Sequence, residues 1–332
     1  MVMIRKQSEW APIFSLTLAM VLWASSFIAL KLAVTTYDPF FVVFSRMTVA
    51  SICFLFLLRR CRGNIYRRGD AKYLLLMTFC EPCLYFVLEA MAIERTTASQ
   101  AAMITSMLPL MVAVGARIFL HEIVSKRIMT GLVAAIIGVC WLSLSGEASE
   151  YAPNPLLGNS FELLAMVFAA GYIIILKRLS TRYNPLFLTA LQAFIGSLFF
   201  LPWLGLRPSA IPHEFHTVAV VCIIYLGIFI NLGAYGLYNF GLSRIPASQA
   251  SAYVNLIPVF AVVLGWIILG ERFTGSQYLA SALVFVGILL SQENLDQFFQ
   301  WVMAKVVPAE VRARIIRLTG NSVAAARKPA QS

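Results

Sequence analysis

Long apolar stretches alternate with short polar breaks along the chain. Ten apolar blocks can be counted, at about 12–34, 39–58, 72–93, 98–120, 126–144, 158–176, 185–204, 216–240, 247–269 and 276–291. Most match the about 20 residues that a helix needs to cross the hydrocarbon core. Several breaks are tight turns: Tyr37-Asp38-Pro39 divides the first two blocks, and Asn184-Pro185 opens the seventh. The tenth block is short, and its helix is expected to run on into Gln292. The pattern predicts an all-α, polytopic membrane protein with ten transmembrane helices. Beyond residue 292 Leu295, Phe298, Phe299, Val302, Met303 and Val306 share one helical face, with Trp301 and Lys305 beside it. Pro308 starts a second helix that bears Arg312, Arg314 and Arg317. Residues 292–332 are thus expected to form an amphipathic, basic tail on the cytoplasmic leaflet.

Composition agrees with the pattern. The chain is 60% hydrophobic and 12% charged, against about 45–50% and about 25% in soluble domains. Its net charge of +11 would suit nucleic acid if the charge formed a face, but it does not. Alternate loops hold Arg59, Arg60, Arg62, Arg67, Arg68 and Lys72, then Lys126 and Arg127, then Lys177, Arg178 and Arg182, then Arg244; the other loops hold only Arg95, Arg207 and Arg272. The basic set marks the cytoplasm. Arg5, Lys6 and the basic tail then put both termini inside, as an even number of spans requires. The charge is a topology signal and an attraction to anionic lipid, and nucleic acid is not an expected partner. The first apolar run, from about Ile13 to Val34, exceeds the 7–15 residues usual for the apolar core of a signal peptide and is expected to stay as the first span. Five of the six cysteines lie inside apolar blocks, which argues against a disulfide framework. A bacterial inner membrane is the expected location.

The blocks repeat. Ala98-Ser99-Gln100-Ala101 and Pro109 return as Ala247-Ser248-Gln249-Ala250 and Pro258, 149 positions on. At the same offset Arg95 meets Arg244, Glu122 meets Glu271 and Gly138 meets Gly287; earlier, at an offset of 146, Lys31 meets Lys177, Pro39 meets Pro185 and Phe41 meets Phe187. The chain is expected to hold two five-helix units, 12–145 and 158–291. Five is odd, so the second unit would enter the membrane inverted, the plan of many secondary transporters with a site between the copies. With these features, and with Trp23-Ala24-Ser25-Ser26-Phe27, Asp38-Pro39, Arg46 and Gly270-Glu271-Arg272, the sequence resembles the EamA-type transporters of the drug/metabolite transporter superfamily. The resemblance implies ten helices, alternating access and, mostly, export of small metabolites such as amino acids. The second half departs from the pattern, with Ala169 opposite Trp23 and Gln192 opposite Arg46.

Candidate site residues follow from depth and chemistry, because ionisable groups inside a membrane usually face a cavity or a partner. Arg46, seven residues past Pro39, and Glu89, five before Glu94, are expected roughly 10 Å and roughly 7 Å below the outer face at about 1.5 Å per residue. They are predicted to pair. Glu81 lies roughly 20 Å deep by the same count; Glu81, Tyr85 and Glu89 share a stripe at steps of four. Such an acid can take up a proton or bind a substrate ammonium group. The eighth span offers Asn231, Tyr235, Tyr238 and Asn239 on one face, the ninth Tyr253 and Asn255, and the first Trp23, Ser25 and Ser26. Pro109 and Pro258 are candidate hinges that free the carbonyls of Thr105 and Val254. Lys31 and Arg117, near helix ends, are expected to reach the headgroups, and the Glu122 and Glu271 turns are expected to be structural. Cys80-Glu81-Pro82-Cys83 has no second cysteine pair and no nearby histidine, so neither metal nor cofactor is expected. A small-molecule exporter coupled to protons is the leading expectation. An importer of the same fold, an intramembrane enzyme and a non-transporting membrane protein stay open, as does a homodimer.

Overall fold

A computed structural model describes residues 10–119, 126–150, 152–206 and 211–291. The tail at 292–332, Glu122 and Ser125 lie outside the described residues. Ten helical segments follow one another: α1 Trp10–Val34, α2 Pro39–Leu57, α3 Asp70–Arg95, α4 Ala98–Phe119, α5 Lys126–Leu144, α6 Pro155–Leu179, α7 Pro185–Leu206, α8 Thr217–Leu242, α9 Ala247–Leu269 and α10 Gly275–Ser291. Apart from an isolated bridge between Ser149 and Ala152, no strand occurs among the described residues. Eight of the helices are long and apolar enough to cross a membrane; in α5 a shorter apolar stretch, Val133–Leu144, adds to them.

The turns explain where the helices start. Asp38 caps α2, accepting from the Phe40 N–H at 2.9 Å, with Pro39 in the first turn. Asn184 does the same for α7, accepting from the Leu186 N–H at 2.9 Å ahead of Pro185. Proline is preorganised there because its missing N–H would be unpaired anyway. Thr274 and Gln277 form a reciprocal cap at α10, at 3.3 and 2.9 Å.

Helix ends also repeat across the halves. Lys31 Nζ donates to the carbonyls of Ile93 and Thr96 at 2.6 and 2.8 Å. Lys177 Nζ donates to those of Leu242 and Ile245 at 2.9 and 2.6 Å. Each cation caps the negative end of the third helix of its own half. Lys31 is 4% exposed, which corrects the expectation that it reaches headgroups: the open end of α3 is the nearer partner. α5 and α10 approach closely through Gly138 and Gly287. A Cβ on Gly138 would lie 2.8 Å from the Val284 nitrogen, and one on Gly287 2.6 Å from the Ala135 nitrogen.

Contacts between the halves occur at both ends. On the predicted cytoplasmic side Arg182 binds Asp70 at 2.5 Å and Tyr183 donates to the same carboxylate at 3.1 Å. On the predicted outer side the Glu271 carboxylate accepts from the Ala98 and Ser99 N–H groups at 2.8 and 2.9 Å. Glu271 thus does more than shape its own turn: it sits on the positive end of α4 from the other half.

Candidate functional site: a polar chamber between the halves

Four of the long helices are broken near mid-span, and the breaks of α4 and α9 face each other. α3 widens to a π turn over Phe79–Leu84, and α8 over Leu226–Ala234. Pro82 accounts for the first break; Asn231 stands at its counterpart position in the second. α4 tightens to a 3₁₀ turn at Thr105–Met107 and α9 at Tyr253–Asn255, each just before its proline. This is the place where Pro109 and Pro258 remove helix hydrogen bonds. Thr105 and Leu108 before Pro109, and Val254 and Ile257 before Pro258, line one chamber. The candidate hinges therefore meet at its wall.

The chamber takes α1, α3 and α4 from the first half and α6, α8 and α9 from the second. It encloses about 40 Å³, where ligand pockets usually hold about 300–1,000 Å³. A metabolite needs it to widen. Its polar wall is Glu81, Tyr85, Glu89, Tyr172, Tyr235, Tyr238 and Trp23, with Ser26 and Thr105, and among the described residues no basic side chain lines it.

Glu81 is extended (φ −148°, ψ 117°) within the α3 break. The break, not a continuous helical stripe, turns its carboxyl inward, where Tyr235 donates to Oε1. Tyr85 donates to Glu89 Oε1 at 2.9 Å, and Arg46 Nη2 lies 3.0 Å from Glu89 Oε2. The expected Arg46–Glu89 pair forms, and Arg46 also covers the Phe86 ring at 3.8 Å. Trp23 packs on Tyr235 and Tyr238 at ring separations of 5.1 and 4.9 Å.

Other candidates lie elsewhere. Asn239 is engaged by Tyr172 at 2.6 Å, Thr189 at 2.9 Å and Gln192 at 3.4 Å, which fixes α8 to α6 and α7. Asn231 lines a smaller neighbouring cavity with Gln192, whose side chain donates to the Glu81 carbonyl at 3.2 Å. Tyr253 and Asn255 are half-buried and absent from the chamber wall; the 3₁₀ turn presents Val254 and Ile257 instead. Ser25 turns to Tyr225 at 2.5 Å. Two residues were not singled out from sequence. Tyr172 lines the chamber, and Glu162 of α6 is fully buried beside Glu89. Their signal was a stripe of small and polar residues along α6, with Gly158, Asn159, Ala165 and Ala169. Among the described residues no group of three or more potential ligands is placed to hold a metal.

Fold and chamber together define an all-α, multi-pass membrane protein with a small polar compartment between two sets of helices. The chain belongs to the EamA-like transporter family, whose profile matches residues 10–144 and again 156–292. It is similar to "Uncharacterized transporter YetK" of Bacillus subtilis, 27% identical over 83% of this chain and 85% of that one. It is 26% identical to the "Probable terminal-alkyne amino-acid exporter" of Streptantibioticus cattleyicolor, over 84% and 92% of the two chains. It is 28% identical to the "S-adenosylmethionine/S-adenosylhomocysteine transporter" of Chlamydia trachomatis, over 84% and 88%. One crystal structure aligns with a TM-score of 0.61 at 14% identity, over 88% of this chain and 99% of that one; this likeness speaks for the fold alone.

Proposed function

We propose that the chain is a secondary transporter of the inner membrane that exports amino acids or related amines by alternating access, coupled to protons. The observation that carries this reading is the wall of the chamber: two carboxyls and six aromatic side chains, with no basic side chain among the described residues. Such a wall selects a cationic group. The Glu81 carboxylate supplies the counter-charge and Trp23 a ring face for an ammonium or sulfonium group. The relatives named for an amino acid and for S-adenosylmethionine point the same way, since both molecules carry an α-ammonium. The two halves act as inverted copies, with both termini in the cytoplasm and the breaks in α3, α4, α8 and α9 as the places that bend.

The test is flux of labelled amino acids in proteoliposomes, with and without a pH gradient. Wild-type protein should exchange internal for external label, and the direction favoured by the gradient separates export from import. Glu81→Gln removes the counter-charge and should abolish exchange. Exchange by Glu81→Gln with an unchanged concentration dependence would remove Glu81 from the site.

A further inference from the structure

Glu162 is the buried acid to which substrate binding gives no task. It is 0% exposed, and neither carboxyl oxygen has a hydrogen-bond partner among the described residues. Its place is set by the packing of α6 on α3. Gly158 lies against the Ala92 carbonyl and Thr96, and Asn159 bonds Thr96 and Gln100. One turn deeper on that face comes Glu162, and one turn deeper again Met166, a chamber residue. The matching ladder on α3 runs Ala92, Glu89, Tyr85. Glu162 therefore stands against Glu89, the charged neighbour whose field acts on it.

The groups around it can be named. From α3 come Glu89 and Tyr85. Behind them are Arg46 of α2, held by Glu89, and Glu81, held by Tyr235. The basic residues of α4 and α5 are Arg117, Lys126 and Arg127, at the predicted cytoplasmic ends of those helices, and Tyr253 is the titratable group of α9. Lys31 is capped on the carbonyls of Ile93 and Thr96. Three carboxyls thus share one guanidinium, and that guanidinium is already engaged. An ionised carboxylate without a hydrogen bond is far costlier in such a place than the neutral acid, so this conformation holds Glu162 with its proton.

We propose that Glu162 is a proton-binding site of the transport cycle, paired with Glu89 across the α3–α6 contact, so that the coupling ion is a proton exchanged against a cationic substrate group. This rests on the transporter reading of the chamber. An ammonium group bound at Glu81 enters the chamber that Glu89 also lines and adds one positive charge to the cluster. Glu162 then breaks its O–H bond, keeps the electron pair as carboxylate, and passes the proton to water on the side that is open. Departure of the ammonium group reverses the step, and a proton taken from the other side restores the acid. Glu81 binds substrate and Glu162 couples it, which gives the two acids different signatures.

Two measurements on the full chain in lipid vesicles test this. The first is infrared difference spectroscopy on titration from acid to alkaline pH, without substrate. Among the carbonyl stretches of protonated carboxyls lost on titration, one component should be missing in Glu162→Gln and present in Glu81→Gln. The second is uptake of a mixture of labelled amino acids. Glu162→Gln should lose accumulation driven by the pH gradient, keep exchange at equal pH, and regain gradient-driven uptake as Glu162→Asp. An unchanged infrared band in Glu162→Gln, or undiminished gradient-driven accumulation, would overturn the proposal. Loss of exchange together with accumulation in a folded variant would overturn it too, because the role would then be structural. If wild-type protein moves none of the labelled amino acids, the substrate reading has failed, and the infrared result alone decides for or against Glu162.

Discussion

Arg46 and Glu89 show how much a single pair can weigh inside a membrane. Both are almost fully buried, and the pair is joined by Tyr85 and the Phe86 ring. Removing one partner strands the other, and a buried, uncompensated charge costs about 3–5 kcal/mol. Arg46→Met should therefore lower the unfolding midpoint in detergent strongly, while Arg46→Met with Glu89→Gln should recover most of the loss. A double variant no more stable than the single one would contradict the pairing. This pair was legible because residue counting converts directly into depth on a helix, and two matching depths suffice. Lys31 was misread by the same counting. Depth said "near an end", but the end of a neighbouring helix, with two open carbonyls, competes with the headgroups and wins. Glu162 escaped because it lies only a few residues inside its apolar block, where an acid ordinarily meets water. Its burial comes from Gly158 and Asn159 drawing α6 onto α3.

At the scale of the helices, repetition carried most of the information. Caps at Asp38 and Asn184 and lysine clamps at Lys31 and Lys177 recur at the two offsets seen in the sequence, and so do Pro109 and Pro258, each with a 3₁₀ turn ahead of it. The α5–α10 contact is the tightest of these repeats. Gly138→Val places a branched side chain against Val284 and the Ala280 carbonyl, and overpacking of this kind costs about 1–3 kcal/mol. The expected result is a lower melting temperature with normal exchange per folded molecule, because among the described residues none from α5 or α10 lines the chamber. A variant that melts like wild type would mean the helices part easily there. What the pattern could not give was the break in α8. Proline marks the break in α3, but Leu226–Ala234 has none, and a π turn without proline leaves no mark in hydropathy. The break in α3 also changes the meaning of the Glu81–Tyr85–Glu89 spacing: the three side chains converge because the helix is interrupted, not because it continues.

The two halves of the molecule are tied to each other at both ends in this conformation. Asp70, Arg182 and Tyr183 tie the halves on one side, and Glu271 ties them on the other by capping α4. Between these ties lies a compartment of about 40 Å³, well below the about 300–1,000 Å³ usual for ligand pockets. In the proposed cycle one tie is released at a time, and the proposed bends lie at the breaks before Pro109 and Pro258. The most direct measurement of that behaviour is labelling of a single cysteine at Ala169, in the chamber wall. Ala169→Cys would be placed in a chain whose six native cysteines have been replaced, and exposed to a membrane-impermeant thiol reagent from each face of sealed vesicles in turn. A chamber that opens alternately predicts modification from both faces, with protection by a transported amine. Modification from neither face, or from both without protection by any amine that the vesicles transport, would contradict it.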